Sequence, residues 1–262
     1  MFAFVKTLNN SWITSRSKAL WWYYTGRFHL RSSTQSVVVS LKPPGNSREY
    51  FLDWQTPEDA RISLNFFSND NSWLKYPLPS EAKTIVDLGA NIGMSSLFWS
   101  MQYPDARIEA VEMVAANAER CQKLFEKNQV NARVTHAAVA ASDGVMQYQA
   151  NDSHTCNHLQ VFDDIPAVAS RLVSVQTYSL ASLLKKLSLQ QVDILKVDIE
   201  GAESFLLQTI ETWAAAVRWM LMELHHNIKY EEAVATLKKA GFTIVSEDHR
   251  NRTELFCQGP AR

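Results

Sequence analysis

Val86-Asp87-Leu88-Gly89-Ala90-Asn91-Ile92-Gly93 is the stretch on which the reading of this chain turns. A β-branched apolar run ends in a glycine-containing turn, and a helical pattern over residues 93–103 follows it. Gly89 permits sharp backbone geometry and close ligand approach, while free N–H groups at the start of the following helix favour an anionic group. The turn lacks the full G-x-G-x-x-G spacing of dinucleotide-binding folds. Working outward, strand-like and helical stretches alternate: 84–88, 93–103, 107–111, 115–128 and 133–139. After an irregular insert over about 150–171, strands at 193–199 and 218–224 flank a helix that starts at Ala202. Residues 242–246 and 254–258 read as a closing antiparallel pair. Such alternation is the grammar of a doubly wound α/β sheet with right-handed crossovers.

Two short strands, 37–41 and 49–54, are expected around the turn signal Pro43-Pro44-Gly45-Asn46. The pattern changes near Pro79. Residues 1–80 are therefore read as an N-terminal helical and β extension, and residues 81–262 as the α/β domain.

The bulk properties bound the function. Among 262 residues, 26 Lys+Arg oppose 27 Asp+Glu and 46% are hydrophobic, which excludes a disordered chain and a general nucleic-acid binder. Cys121, Cys156 and Cys257 build neither a disulfide framework nor a CxxC motif, so a reducing cytoplasm is the expected location. No apolar run approaches the roughly 20 residues of a membrane-spanning helix. Charge is nonetheless uneven, at +7 up to Arg48 and −8 from Glu49 onward. The basic opening also carries Trp12, Trp21, Trp22, Tyr23, Tyr24 and Phe28. That mix suits a helix packed on its own domain or on a second copy in a homodimer, or peripheral membrane contact through residues 1–30.

In doubly wound sheets, ligands sit at the carboxyl ends of the strands. Three ends are unusual here. The first is the Gly89 turn. The second is Glu112, 19 residues beyond Gly93, where a carboxylate can accept hydrogen bonds from both hydroxyls of a ribose. A glycine turn and a solvated acidic strand end are each ordinary alone; in this order and separation they favour an adenosine-containing ligand. The third is Asp193-Ile194-Leu195-Lys196-Val197-Asp198-Ile199-Glu200-Gly201-Ala202-Glu203. Period two places Lys196 and Asp198 on one face, and a lysine inside a central strand needs a carboxylate partner, either Asp198 or Glu223. A structural ion pair is the plainer reading of Lys196.

These three motifs, with Met222-Glu223-Leu224-His225, resemble the FkbM-type family of S-adenosylmethionine-dependent methyltransferases over roughly residues 83–226. The resemblance implies a Rossmann-like class I methyltransferase fold, a mostly parallel seven-stranded sheet of order 3-2-1-4-5-7-6 whose last strand is antiparallel. It also implies O-methylation of a hydroxyl on a sugar, glycolipid or polyketide-like acceptor. Met113 stands where the family usually has proline. Asp87, Gly89, Ala90, Asn91 and Gly93 are expected at the methionine moiety, Glu112 at the ribose and Met113 beside the adenine.

An alcohol is a poor nucleophile at neutral pH, so a base is useful, and Asp198 and His225 are the candidates. Lys196 and Glu200 are expected to orient the base or the acceptor hydroxyl. Asp198, Glu200, Glu223 and His225 are also of the right type to converge on a divalent metal, yet no ligand string of recognisable spacing is present and none is expected. His154, His158 and His226 remain unranked. Two other readings stand beside the methyltransferase: a nicotinamide-dependent oxidoreductase of the same architecture, and a non-catalytic partner-binding protein with a plugged nucleotide pocket.

Overall fold

The structure, a computed structural model, describes residues 37–43, 45, 47–67, 73, 76–150, 171–225, 228–248 and 253–260. The aromatic opening stretch, most of the insert with His154 and His158, and His226 lie outside the described residues. Among the described residues no helix is long and apolar enough to cross a membrane.

The strands are β1 (Val37–Leu41), β2 (Tyr50–Trp54), β3 (Thr84–Leu88), β4 (Arg107–Glu112), β5 (Ala132–His136), β6 (Ala138–Val139), β7 (Gly144–Ala150), β8 (Arg171–Tyr178), β9 (Val192–Val197), β10 (Val217–Leu224), β11 (Thr243–Asp248) and β12 (Thr253–Gln258). The helices are α1 (Pro57–Phe66), α2 (Met94–Gln102), α3 (Ala115–Asn128), α4 (Leu180–Lys186), α5 (Glu203–Gln208) and α6 (Tyr230–Lys239). The central sheet runs β11-β12-β10-β9-β3-β4-β5. Its strands are parallel except β12, which is antiparallel to both β10 and β11. This is the order and polarity that the family resemblance implies.

Strand alternation divides the interior into two cores. Ile85, Ile108, Ile194, Leu221 and Phe256 face a layer built from the β1–β2 hairpin, α1 and α2, whereas Val86, Leu195, Met220, Met222 and Leu255 face α4, α5 and α6. The described part of the N-terminal extension thus shares the first core with the sheet. Its helix α1, not foreseen from the sequence, carries a readable start: Thr56 and Asp59 form a reciprocal capping box with Pro57 in the first turn.

The expected strand over 133–139 is two strands. The β4–β5 pairing ends at His136, where the Ala137 N–H donates to the Glu112 carbonyl, and Ala138 and Val139 leave to pair with β8. They join β7 and β8 in a second sheet of three strands that brackets the insert. Asp143, just before β7, accepts the N–H of Ser179, the N-cap of α4, and so ties that turn to the start of the helix.

At the floor of the sheet, Asp193 joins the starts of three strands. Its carboxylate accepts the Lys83 and Thr84 N–H groups at 2.8 and 3.1 Å and the Arg218 guanidinium at 2.8 Å. Burial raises the carboxyl pKa, but these bonds outweigh it and hold it below the ordinary value. A depressed carboxylate pKa contributes stability that is present above the unfolded value and lost as pH falls through the folded one. Asp193→Asn is expected to cost about 1 kcal/mol at neutral pH. The gap to the parent in melting temperature should close as pH falls below about 4. A gap that persists at low pH would show the charge to be irrelevant.

Candidate active site

The β3 turn and the end of β9 meet with no room for a side chain. Gly89 takes φ +76°, and a Cβ there would stand 1.8 Å from the Asp198 carbonyl oxygen. Its N–H and that of Ala90 both donate to the Val111 carbonyl, at 2.9 and 3.0 Å, which draws the turn over the end of β4. Gly93 takes φ +92°, and a Cβ there would meet the Cys121 sulfur at 2.8 Å and the side chains of Leu124 and Phe125, so this glycine lets α2 start against α3.

Beneath the turn lies a fully buried polar group. Asp87 Oδ2 accepts the hydroxyls of Ser95 and Ser96, both at 2.6 Å, from the first turn of α2. Its Oδ1 is 3.2 Å from Lys196 Nζ, and the two residues are register partners across β3 and β9. Lys196 Nζ also donates to the carbonyls of Gly89 (2.8 Å) and Leu88 (3.3 Å) and lies 3.6 Å from Asp198 Oδ2. Burial pulls the ammonium pKa down, but the charges of Asp87 and Asp198 more than reverse that and hold it at about 12. The carboxylate partner nearest to the lysine is thus Asp87, not Asp198 or Glu223.

Above the turn is a cleft lined by Gly89, Asn91, Glu112 and Met113 on one side and by Asp198, Ile199 and Glu200 on the other, with Asn117, Ala138 and Val139 completing the wall. Glu112 is 6% exposed, and its two oxygens accept the N–H groups of Asn91 and Val114, each at 2.8 Å. Burial raises its pKa against those two bonds. Each carboxylate oxygen keeps a second acceptor position, so a pair of ligand hydroxyls is accommodated without displacing the backbone. Met113 packs against Ala138, Tyr148 and Val175.

The third strand end is a loop organised by a residue with no foreseen role. Glu203, fully buried at the start of α5, accepts the N–H of Ile199 and of Gly201, both at 3.0 Å, and bonds His225 Nδ1 at 2.9 Å. The loop it holds includes Glu200 at φ +52° and Gly201 at φ +101°. His225 Nε2 lies 3.4 Å from Glu200, 3.8 Å from Asp198 and 3.9 Å from Glu223. Burial lowers the imidazole pKa, but the Glu203 bond and the charges of Glu203, Asp198 and Glu200 raise it to about 9. Surrounded in this way, His225 carries a proton at neutral pH, which disfavours it as the base.

Of the residues singled out in the sequence, Gly89, Asn91, Glu112, Met113, Asp198 and Glu200 come together in the cleft wall. Asp87, Ala90, Gly93 and Lys196 stand behind it, where they shape the strand ends. His225 sits behind the carboxylates with 9% of its side chain exposed. Glu203, Asn117, Ser95 and Ser96 were missed. Only Glu203 had a readable signal, as an acidic residue closing the Asp198-Ile199-Glu200-Gly201-Ala202-Glu203 string. Glu203→Gln replaces one accepting oxygen with a donor that faces another N–H, so a loss of about 1–3 kcal/mol in unfolding free energy is expected. An unchanged chemical-denaturation midpoint would mean that Glu203 does not hold this loop.

A family model described as the methyltransferase FkbM domain matches residues 87–250. The chain is 23% identical over 241 residues to the 31-O-demethyl-FK506 methyltransferase FkbM of Streptomyces tacrolimicus, covering 80% of this chain and 91% of that protein. It is 27% identical over 213 residues to Methyltransferase 1 of Beauveria bassiana, covering 72% and 84% respectively. Among solved structures, the methyltransferase FkbM of Methylobacillus flagellatus has a similar fold, with a TM-score of 0.50 at 14% identity over 72% of this chain and 46% of that one. With a family model that covers more than half of the chain and takes in all three unusual strand ends, this chain belongs to the FkbM-type family of S-adenosylmethionine-dependent methyltransferases.

Proposed function

We propose that the chain methylates a hydroxyl oxygen of a sugar, glycolipid or other small natural-product acceptor. The observation that carries this reading is the continuity of one cleft from Glu112 to Asp198. Its first half fits the cofactor. A carboxylate with spare acceptor positions stands where a ribose would lie, and Met113, Val114, Ala138 and Val139 offer an apolar wall for an adenine. Gly89 and Asn91 line the turn where the methionine portion would run. The other half presents carboxylates, Asp198 and Glu200, toward an acceptor. The name of the Streptomyces relative places its methyl group on an oxygen, which supports the same acceptor atom here.

When bound, S-adenosylmethionine supplies a methyl group on a sulfonium centre; the chain must hold the acceptor oxygen in line with it, within about 3 Å. Asp198 is the residue placed to take the hydroxyl proton, since its carboxylate lines the cleft and is 28% exposed. Lys196 fixes that carboxylate from below, and Glu200 orients the acceptor. The positive charge of His225 offsets the crowding of acidic groups. A plugged pocket, the mark of the non-catalytic reading, is not what lies between Glu112 and Asp198. Family membership speaks against the nicotinamide-dependent oxidoreductase.

A thermal melt tests this directly. S-adenosylhomocysteine at about a hundred times its dissociation constant should stabilise the protein by roughly 2.7 kcal/mol, several degrees for a chain of this size. Glu112→Ala should abolish the shift, and NAD should give none. Asp198→Asn should keep the shift while lowering methyl transfer to a glycan or polyol acceptor by about 100-fold or more. A shift with NAD alone would reject the methyltransferase reading.

A further inference from the structure

We propose that Asp198, Glu200 and His225 form a divalent-cation site at the acceptor end of the cleft. One ligand atom from each, a carboxylate oxygen from Asp198 and Glu200 and a ring nitrogen from His225, lies within 4.8 Å of the others. That spacing lets a single ion at about 2.0–2.3 Å reach all three with small side-chain rotations.

Carboxylates at strand ends are common without metal, so the argument rests on the histidine. His225 Nε2 is buried and makes no hydrogen bond, although it points at Asp198, Glu200 and Glu223. The other ring nitrogen is tied to Glu203, which is itself locked by the Ile199 and Gly201 N–H groups. A ring held through one nitrogen by a buried carboxylate, with the other nitrogen aimed into a set of oxygen donors, is the arrangement in which histidine ligands are oriented toward metals. The ion displaces the proton that Nε2 carries in its absence, and that proton leaves to solvent through the cleft. Charge agrees: Asp198, Glu200, Glu203 and Glu223 gather around His225, while Lys196 is drawn mainly to Asp87.

Two oxygens and one imidazole nitrogen, without thiolate, suit a first-row ion such as manganese(II) or zinc(II) better than calcium, which takes oxygen ligands alone. Asp198 and Glu200 line the cleft and are 28% and 27% exposed, so an ion between them keeps positions open to the cleft. An acceptor hydroxyl is the ligand of matching chemistry, and this inference about the acceptor rests on the O-methylation reading. The sequence offered these ligand types together with Glu223 but pointed away from a metal, because they come from a strand end, the loop after it and the end of the next strand, with no fixed spacing.

The test uses the full chain, stripped with chelator and titrated with manganese(II) while the free ion is followed by electron paramagnetic resonance. About one ion bound per chain is expected, with affinity at least tenfold weaker in Glu200→Gln and in His225→Gln. Both variants should keep the S-adenosylhomocysteine melting shift, which shows that they fold and bind cofactor. Manganese left free at about 1 mM in the parent chain, or bound equally by both variants, overturns the site. Ion binding with no S-adenosylhomocysteine shift would instead sustain the site and overturn the methyltransferase reading, so the two failures are distinct.

Discussion

The pairing of Lys196 with Asp87 in the middle of the parallel sheet is the contact on which the site depends. Both side chains are within 2% of complete burial. Breaking such a pair by removing one partner costs about 3–5 kcal/mol, because a charge is left buried alone, yet replacing both with apolar residues is often neutral. Its value therefore lies in geometry. Through Ser95 and Ser96, Asp87 sets the start of α2; through the Leu88 and Gly89 carbonyls and Asp198, Lys196 sets both edges of the cleft. The two strand ends it joins are so close that Gly89 admits no Cβ.

The sheet was legible because its physics is periodic. Apolar runs at 84–88, 107–111 and 193–199 sit between helical patterns, and the strands they announce are present; their order and polarity are those that the family resemblance implies. Departures occur where a tertiary contact overrides local pattern. The run over 133–139 keeps one β character throughout, and only the Glu112 carbonyl and the β8 edge decide that it divides at Ala137. Strands β7 and β8 flank an insert that offers no periodicity of its own, so their pairing could not be anticipated.

The half of the cleft between Gly89 and Glu112 was legible for a related reason. A glycine turn and an acidic strand end at fixed separation lie on adjacent parallel strands, so sequence spacing converts directly into distance. The other half obeys no such rule. Lys196 and Asp198 were read correctly as sharing a face, but the nearest partner of the lysine comes from β3, 109 positions away in sequence number. Glu203 and His225 meet because β9 and β10 are adjacent parallel strands, so that the residues following their ends lie side by side.

The N-terminal extension reaches this second half of the site through a specific electrostatic problem. Glu223 and Glu254 stand directly opposite each other across β10 and β12, and like charges in that position destabilise a sheet. Tyr76 donates to Glu254 at 2.8 Å and Trp73 donates to it at 3.4 Å, so the extension supplies partners to this carboxylate. Glu223 faces His225, 3.9 Å away. The rings that make these bonds are fixed in turn by stacking, Tyr76 on Phe256 and Trp73 on Trp99. A segment outside the doubly wound sheet thereby bears on the charge balance beside His225. Substitutions in that segment change the charge beside His225 while the turn at Gly89 and the carboxylate of Glu112 stay as they are.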